Sequence, residues 1–262
     1  MKNNLNYGSV LQCFALEKYL SDRGHEASVV RDYRMNPIIL LRRLKNIRYF
    51  RSFCAKLYAQ RQVSRFIKNR MLVSKNMYLS YSGLVKKCPD ADLHIACSDQ
   101  IWRNANISRF LSYVPDEKKK ISYAASFGQV ALSEEMKSIV EPLLRRFDGL
   151  GVREQAGVNI LHSVGLEGQL VLDPTLLLDS DIYPSVRNEA KVGYSYCYFV
   201  NLKKQSDIPF EAIKEYARDY SLEALVSSPT DYRFFQGEKL LFPSVEEWLG
   251  LFQGANCIFT NT

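Results

Sequence analysis

Apolar residues follow two different spacings along the chain, and these predict an alternation of helices and strands. Near the start they recur at intervals of three and four positions, which predicts an amphipathic helix. The apolar face of this helix comprises Tyr7, Val10, Leu11, Phe14 and Ala15. Asn6 and Gly8 stand where a helix cap and a closely approached glycine are expected. The pattern therefore places a helix close to residue 1, with no strand in front of it.

Strands are indicated by short runs rich in apolar and β-branched residues. In chain order these runs are "HEASVVRDY", "ADLHIAC", "KKISYAASFG", "GLGV" and "GQLVLDPTLLL". Helical patterns stand between several of them. One helix begins at Ser133 with only half of a capping box, because Met136 takes the place of the usual acid, and another ends at Gly165 as its C-cap. This alternation predicts an α/β fold with a largely parallel sheet.

A polar stretch over residues 178–193 predicts a boundary between two domains. The first domain is predicted over 1–180 and the second over 190–262. In the second, strands are predicted at "YSYCYFV", "LEALVSS" and "NCIFTNT", and helices at 208–220 and 244–252. A second α/β domain is thus begun, and we expect it to be incomplete.

The formal net charge of +7 is unevenly distributed. From Tyr33 to Pro89 there are fourteen Lys and Arg residues and no Asp or Glu, which leaves 21 basic and 28 acidic residues elsewhere. Apolar residues in this stretch predict two amphipathic helices, a basic insertion at about 34–88. Residues 34–87 are predicted to contact an anionic membrane surface. The alternative is a solvated helical hairpin packed on the domain, and nucleic acid is not expected because no nucleic-acid motif accompanies the charge.

The six cysteines and three histidines are scattered, and none has the spacing of metal ligands. The first twenty residues lack the apolar run of a signal peptide and the span of a membrane helix. These features predict a cytoplasmic protein with reduced thiols and no metal, associated with membranes only through the basic insertion.

Candidate chemistry gathers in the loops that follow the predicted strands. In an open α/β sheet, ligands bind outside the carboxyl ends of the strands. Five loops fall there, "NYGS", "CSDQIW", "ASFG", "VRE" and "LDPT", although each alone is also typical of ordinary turns. The residues predicted to contact substrate are Asn6, Tyr7, Gly8, Ser98, Gln100, Trp102, Ser126, Phe127 and Gly128.

Asp99 and Arg153 are the predicted catalytic residues. Asp99 directly follows an apolar strand and is expected to project into the cleft, unless it caps a helix containing Ile101 and Trp102. Arg153 offers a planar guanidinium that suits a carboxylate or phosphate, unless it pairs with Glu154. Backbone amides of "SFG" are a candidate anion nest, and Asp173 is predicted to terminate a strand.

Nearly the whole chain resembles the polysaccharide pyruvyl transferases. The stretches that carry the resemblance are, in order, "NYGSVLQCFALEKYL", "SDQIWR", "ISYAASFG", "VREQAG", "LHSVGLEGQLVLDPTLLL" and "IFTNT". The resemblance implies two facing Rossmann-like domains of the GT-B type, with the active site between them. It also implies transfer of pyruvate from phosphoenolpyruvate to two hydroxyls of a sugar or lipid-linked oligosaccharide, which gives a cyclic ketal and phosphate.

By this resemblance, Arg153 corresponds to the donor-binding arginine of "VRE" and Asp99 to the acidic residue of "SDQIW". No metal or nicotinamide cofactor is implied, and phosphoenolpyruvate is a substrate. The strand before the Asn-Tyr-Gly turn and the family's histidine loop have no counterpart, so we expect a fragment that is poorly packed and inactive. The alternatives are a sugar-nucleotide glycosyltransferase of GT-B fold and a non-catalytic remnant or binding module.

Overall fold

The computed structural model describes residues 6–32, 50–97, 99–186, 193–200, 202, 204–227 and 240–261. These residues form two compact units. The first unit comprises residues 8–32 and 71–180 of the described ranges, and the second comprises residues 6–7, 50–70 and the residues from 181 onward. The domain limits predicted from the sequence stay a prediction.

Helices and strands alternate along much of the chain. The helices are α1 (Tyr7–Ser21), α2 (Phe50–Arg70), α3 (Tyr81–Lys86), α4 (Glu134–Leu144), α5 (Gln155–Ser163), α6 (Phe210–Asp219) and α7 (Val245–Gly254). The strands are β1 (Val29–Asp32), β2 (Val73–Tyr78), β3 (Leu93–Cys97), β4 (Lys119–Ala125), β5 (Gly149–Val152), β6 (Gln169–Leu170), β7 (Tyr194–Tyr198), β8 (Glu223–Ser227), β9 (Leu240–Leu241) and β10 (Cys257–Thr260). The predicted mixed α/β class is confirmed.

The first unit contains a four-stranded sheet in the order β3-β4-β5-β6, with every strand parallel to its neighbour. A separate parallel pair is formed by β1 and β2. The register of β4 against β5 is irregular between Ser122 and Ala125, where Ala124 has a left-handed φ of +52°. An irregularity of this kind bends a strand and redirects the loop after it. Because all four strands are parallel, the loops after β3, β4, β5 and β6 emerge along one edge of the sheet.

Two predicted helix ends are confirmed in the first unit. The Ser133 hydroxyl accepts a hydrogen bond from the Met136 amide at 3.2 Å and so caps α4. Gly165 has a φ of +67° after α5, and the amide of Leu166 donates to the Leu161 carbonyl at 3.0 Å. This is the Schellman arrangement, which requires a left-handed residue that glycine adopts without a Cβ clash.

The core of the first unit is rich in aromatic side chains. Trp102 is completely buried, and its ring lies 5.3 Å from that of Phe110 and 5.0 Å from that of Phe127. Its indole nitrogen donates to the Arg109 carbonyl at 3.2 Å. The polar edge of the indole is thus satisfied inside an apolar cluster, which fixes the segments after β3 and β4.

Lys120 is also buried, with 1% of its surface exposed. Its ammonium group donates to the carbonyls of Pro115, Lys118 and Asp116, at 2.7, 2.6 and 3.4 Å. Its backbone amide donates to the Asp148 carboxylate at 2.7 Å. A buried cation is tolerated when its protons are all hydrogen-bonded, and here the cation ties the turn at the amino end of β4 to the strand.

The second unit contains a parallel sheet in the order β10-β7-β8-β9. The chain passes from β7 to β8 and β9 on one side, and β10 lies on the other side of β7. This is the order of the first four strands of a doubly wound fold. The Asn261 amide group joins the ends of β10 and β7, because it donates to the Val200 carbonyl at 2.7 Å and accepts from the Val200 amide at 3.0 Å.

An aromatic cluster packs against this second sheet. Its members are Tyr7, Tyr196, Tyr198, Trp248 and Phe252. The Tyr7 hydroxyl donates to the Pro243 carbonyl at 2.6 Å. Burial raises the pKa of Tyr7 and that of Tyr196 well above the usual value, so both phenols stay neutral.

The stretch from Tyr33 to Pro89, which contains no acidic residue, includes strand as well as helix. Its described part contains α2, β2 and α3, and β2 was not predicted. The first of the two predicted amphipathic helices falls largely on residues 33–49, which lie outside the described residues. In the part of the chain that the structure describes, no helix combines the length and the apolar character needed to cross a bilayer.

Candidate functional site

Asp99 follows β3 in a backbone conformation that is uncommon for a residue with a side chain. Its φ is +58°, in the left-handed region. One carboxylate oxygen accepts from the Ser9 hydroxyl at 2.5 Å, and the other accepts from the amide of Gln100 at 2.8 Å. The described residues around Ile101 and Trp102 form turns, so the interpretation of Asp99 as a helix cap is wrong.

The loops after β3 and β4 are bound to each other through the backbone. The Ser126 amide donates to the Asp99 carbonyl at 3.2 Å, and the Trp102 amide donates to the Ser126 carbonyl at 3.0 Å. Trp102 and Phe127, both predicted to contact substrate, are completely buried. This burial does not fit a substrate contact by their side chains, which instead support the two loops from below.

The loop after β4 continues the polar rim toward β5. The Ser126 hydroxyl donates to one Glu154 oxygen at 2.5 Å. The other Glu154 oxygen lies 3.6 Å from Arg153 Nε. The amide of Gly128 donates to the Ser126 hydroxyl at 3.0 Å, so this amide is already used within the predicted anion nest.

Asp173, after β6, joins three segments of the rim. One carboxylate oxygen accepts from Gln12 Nε2 of α1 at 2.5 Å and from Arg153 Nη1 at 3.2 Å. The other accepts from the amide and the hydroxyl of Thr175, at 3.0 and 2.8 Å. Asp173 thus caps the short helix Pro174–Leu176 and also contacts Arg153. The preceding strand β6 ends at Leu170, so Asp173 does not itself terminate a strand.

Arg153 therefore has two acidic neighbours, and the shorter contact is with Asp173. The alternative partner, Glu154, is farther away, with a carboxylate oxygen 3.6 Å from Arg153 Nε. Its side chain remains 28% exposed. Since a guanidinium carries five N–H groups in a planar fork, contacts through Nε and Nη1 leave the Nη2 protons for an anionic ligand.

Two chains of contacts connect Asp99 with Arg153 along the same rim. One passes through Ser126 and Glu154, and the other follows α1 from Ser9 to Gln12 and reaches Arg153 through Asp173. The structure thus brings the two predicted catalytic residues to one edge of the sheet. Their roles stay a prediction.

Gln100, another predicted contact residue, lies over Gly128. Gly128 has a φ of +62°, and a Cβ there would lie 2.8 Å from the side-chain amide carbon of Gln100. The Gln100 carbonyl oxygen accepts from Arg103 Nη1 at 2.9 Å. Glycine at position 128 is therefore needed both for its backbone conformation and for the space above it.

Beneath the rim lie three groups that stay neutral. Burial raises the pKa of the Cys13 thiol, and the charge of Asp99 raises it further. Burial likewise holds the pKa of Cys97 well above its usual value, with smaller contributions from Cys13 and Asp173. The pKa of Tyr123 is raised mainly by burial. The floor of the site is thus uncharged at neutral pH, and its charges lie on the rim.

The remaining predicted residues are distributed as follows. Tyr7 packs in the aromatic cluster of the second unit, and Asn6 directly precedes α1. Gly8 is the second residue of α1. Ser98 lies outside the described residues. The loops "NYGS" and "VRE" were predicted at this edge, but Ser9, Gln12 and Glu154 were not among the predicted site residues.

Among residues 6–32, 50–97, 99–186 and the described parts of the second unit, no group of three or more His, Cys, Asp or Glu side chains could hold a metal ion. The rim instead combines three carboxylates, from Asp99, Glu154 and Asp173, with the guanidinium of Arg153. Such a set can bind one anionic group and move protons beside it.

The rim lies at the carboxyl ends of parallel strands, which is where ligands bind in open α/β folds. The family model for polysaccharide pyruvyl transferase matches residues 6–262. The chain therefore belongs to the polysaccharide pyruvyl transferase family. No curated protein and no solved structure shows a significant match to it.

Proposed function

We propose that the protein transfers pyruvate from phosphoenolpyruvate to two hydroxyls of a sugar during surface polysaccharide synthesis. The proposal includes two Rossmann-like domains of the GT-B type, over 1–180 and 190–262, with a sugar or lipid-linked oligosaccharide as acceptor. Family membership supports a transferase. The observation that carries the proposal is the placement of Arg153 and Asp99 on one rim, held by Asp173 and Ser9.

The reaction makes two demands on these residues. The C–O bond to phosphate breaks, and the central carbon of the donor forms two C–O bonds to the sugar. Of the two hydroxyl protons, one is gained by the methylene carbon, which becomes a methyl group, and the other leaves on phosphate. The site must therefore bind a strongly anionic donor and move protons between oxygen and carbon.

Arg153 is assigned the first task. Its Nη2 protons are left to donate to a carboxylate or phosphate, while Asp173 holds the guanidinium through Nη1. Asp99 is assigned the second task. Ser9 and the Gln100 amide each hold one of its oxygens, so the carboxylate is oriented before the substrate binds, which lowers the cost of reaching the transition state.

Donor choice tests the proposal. Phosphate release and ketal formation are measured with phosphoenolpyruvate and a panel of sugar acceptors, and donor binding is measured separately by calorimetry. We expect binding of phosphoenolpyruvate that Arg153→Lys weakens. Glycosyl transfer from a sugar nucleotide, with no response to phosphoenolpyruvate, would instead identify a glycosyltransferase. Sugar binding without affinity for either donor would identify a binding module.

A further inference from the structure

The outward face of α2 presents three cations on one side of the helix. Arg61, Arg65 and Lys68 are exposed and follow one another at intervals of four and three residues, so they share one face. Leu57 and Tyr58 lie on the same side, 43% and 52% exposed. Within the described part of the chain, none of the three cations forms an ion pair.

The opposite face of α2 is fixed in the second unit. Ala59, Val63, Phe66 and Ile67 are buried there, with 8% or less of their surface exposed. At the end of the helix, Arg70 Nε lies 3.7 Å from a Glu246 oxygen of α7. The helix therefore cannot turn its apolar side outward while the unit is folded, and the cationic face is the one that a partner meets.

The composition of the whole segment makes this face unusual. Residues 33–89 contain fourteen Lys and Arg and no acid, whereas the rest of the chain carries an excess of acids. A positive face of this kind attracts an anionic surface over about 10 Å at an ionic strength of roughly 0.1 M. Selection for solubility alone does not require that every acid be absent from 57 consecutive residues.

We propose that this face of α2 binds the surface of an anionic lipid bilayer and holds the protein there as a peripheral contact. The exposed Leu57 and Tyr58 favour lipid over a hydrated polyanion, because apolar and tyrosine side chains partition into the interfacial region of a bilayer. Each cation near such a surface strengthens binding roughly five-fold, so three cations contribute on the order of a hundred-fold. The inference does not depend on the proposed reaction.

Vesicle co-sedimentation tests the proposal. The full chain is mixed with vesicles of phosphatidylcholine alone or of phosphatidylcholine with phosphatidylglycerol, at low and high salt. We expect binding only to the mixed vesicles, lost at high salt. The variant with Arg61→Glu, Arg65→Glu and Lys68→Glu should lose binding by on the order of a hundred-fold or more.

A matched control separates this face from net charge. Lys119→Glu, Lys204→Glu and Arg218→Glu make the same change in charge at exposed positions outside residues 33–89, and this variant should retain most of the binding. Because glutamate near a helix C-terminus is unfavourable, a second α2 variant with glutamine at the three positions, checked by circular dichroism, reports the loss of charge alone.

Several outcomes would overturn the proposal. They are equal binding to neutral and anionic vesicles, equal losses in the two charge-reversal variants, and no binding to anionic vesicles at low salt. Tighter binding of the chain to duplex DNA than to anionic vesicles at equal ionic strength would also reject it, and would assign the face to nucleic acid.

Discussion

The Ser9 hydroxyl donates to the Asp99 carboxylate at 2.5 Å across ninety positions of sequence. Ser9 lies in the first turns of α1 and is nearly buried, and Asp99 lies in a left-handed turn after β3. A left-handed residue other than glycine costs roughly 1–2 kcal/mol. The contact with Ser9 stabilises this turn and fixes the direction of the carboxylate.

In a full-length family member built around this sequence, Asp99→Asn is expected to lower the rate of ketal formation about 10²–10³-fold with little change in KM for phosphoenolpyruvate, because the amide cannot accept a proton. Ser9→Ala should have a smaller effect, about ten-fold, since it removes one hydrogen bond that orients the carboxylate. Phosphate release under steady state measures both. Ser138→Ala, whose hydroxyl donates to its own helix, is the control, and a Ser9→Ala protein with unchanged turnover would contradict the orienting role.

Arg153→Lys is expected to weaken phosphoenolpyruvate binding about 10–100-fold even though the charge is kept, because lysine lacks the planar fork. Titration calorimetry measures the loss. Arg145→Lys is the matched control, since Arg145 also contacts a carboxylate, that of Glu141, but on the exposed side of α4. Equal donor affinity in the two variants would remove Arg153 from the donor site.

Asp173→Ala is expected to lower the free energy of unfolding by about 2–4 kcal/mol, because it removes the cap at Thr175 and the contacts from Gln12 and Arg153 together. Asp173→Asn keeps an acceptor and should cost about 1 kcal/mol. Urea denaturation measures both changes. If Asp173→Ala is no more destabilising than Asp179→Ala at an exposed position nearby, the joining role of Asp173 is wrong.

Gly128→Ala and Gly24→Ala separate backbone strain from crowding. Both glycines have a positive φ, of +62° and +83°, but a Cβ at position 24 has no neighbour within 4 Å. Gly24→Ala should therefore cost only the strain, roughly 1–2 kcal/mol. Gly128→Ala should cost about 1 kcal/mol more, since Gln100 must move, and equal costs in urea denaturation would show that Gln100 moves without penalty.

The free energy of unfolding of the first unit is expected to depend on pH through Glu17. Burial raises its pKa above the usual value. The native state then holds the proton to a higher pH than the unfolded state, so stability decreases as the pH rises from the unfolded pKa through the folded one. Glu17→Gln should be more stable than the wild type at neutral pH, with the difference lost near pH 4. Urea denaturation across this range measures it, and a difference that does not vary with pH would contradict the assignment.

Hydrophobic spacing located most of the elements, because apolar faces repeat within a single helix or strand. β2 was not predicted, because apolar and polar residues alternate only weakly in "VSKNMY", which contains Lys75 and Asn76. At the site, the position after a strand pointed to Asp99 and Arg153. The contacts of Ser9 with Asp99 and of Gln12 with Asp173 could not be predicted. The partners lie 90 and 161 positions apart in the sequence, and only the folded sheet brings them together. The burial of Trp102 could not be predicted, because the sequence places this residue in a rim loop but does not show which way its ring points.

The burial of Lys120 makes this residue a chemical reporter for the first unit. Amine-directed reagents such as succinimidyl esters acylate exposed lysines within minutes, whereas an ammonium group whose protons are all held by carbonyls in the interior reacts only after the surrounding structure opens. Mass spectrometry of one peptide therefore compares the rate at Lys120 with that at the exposed Lys119 beside it. The ratio of the two rates reports the opening of β4 within the intact chain, without any substitution.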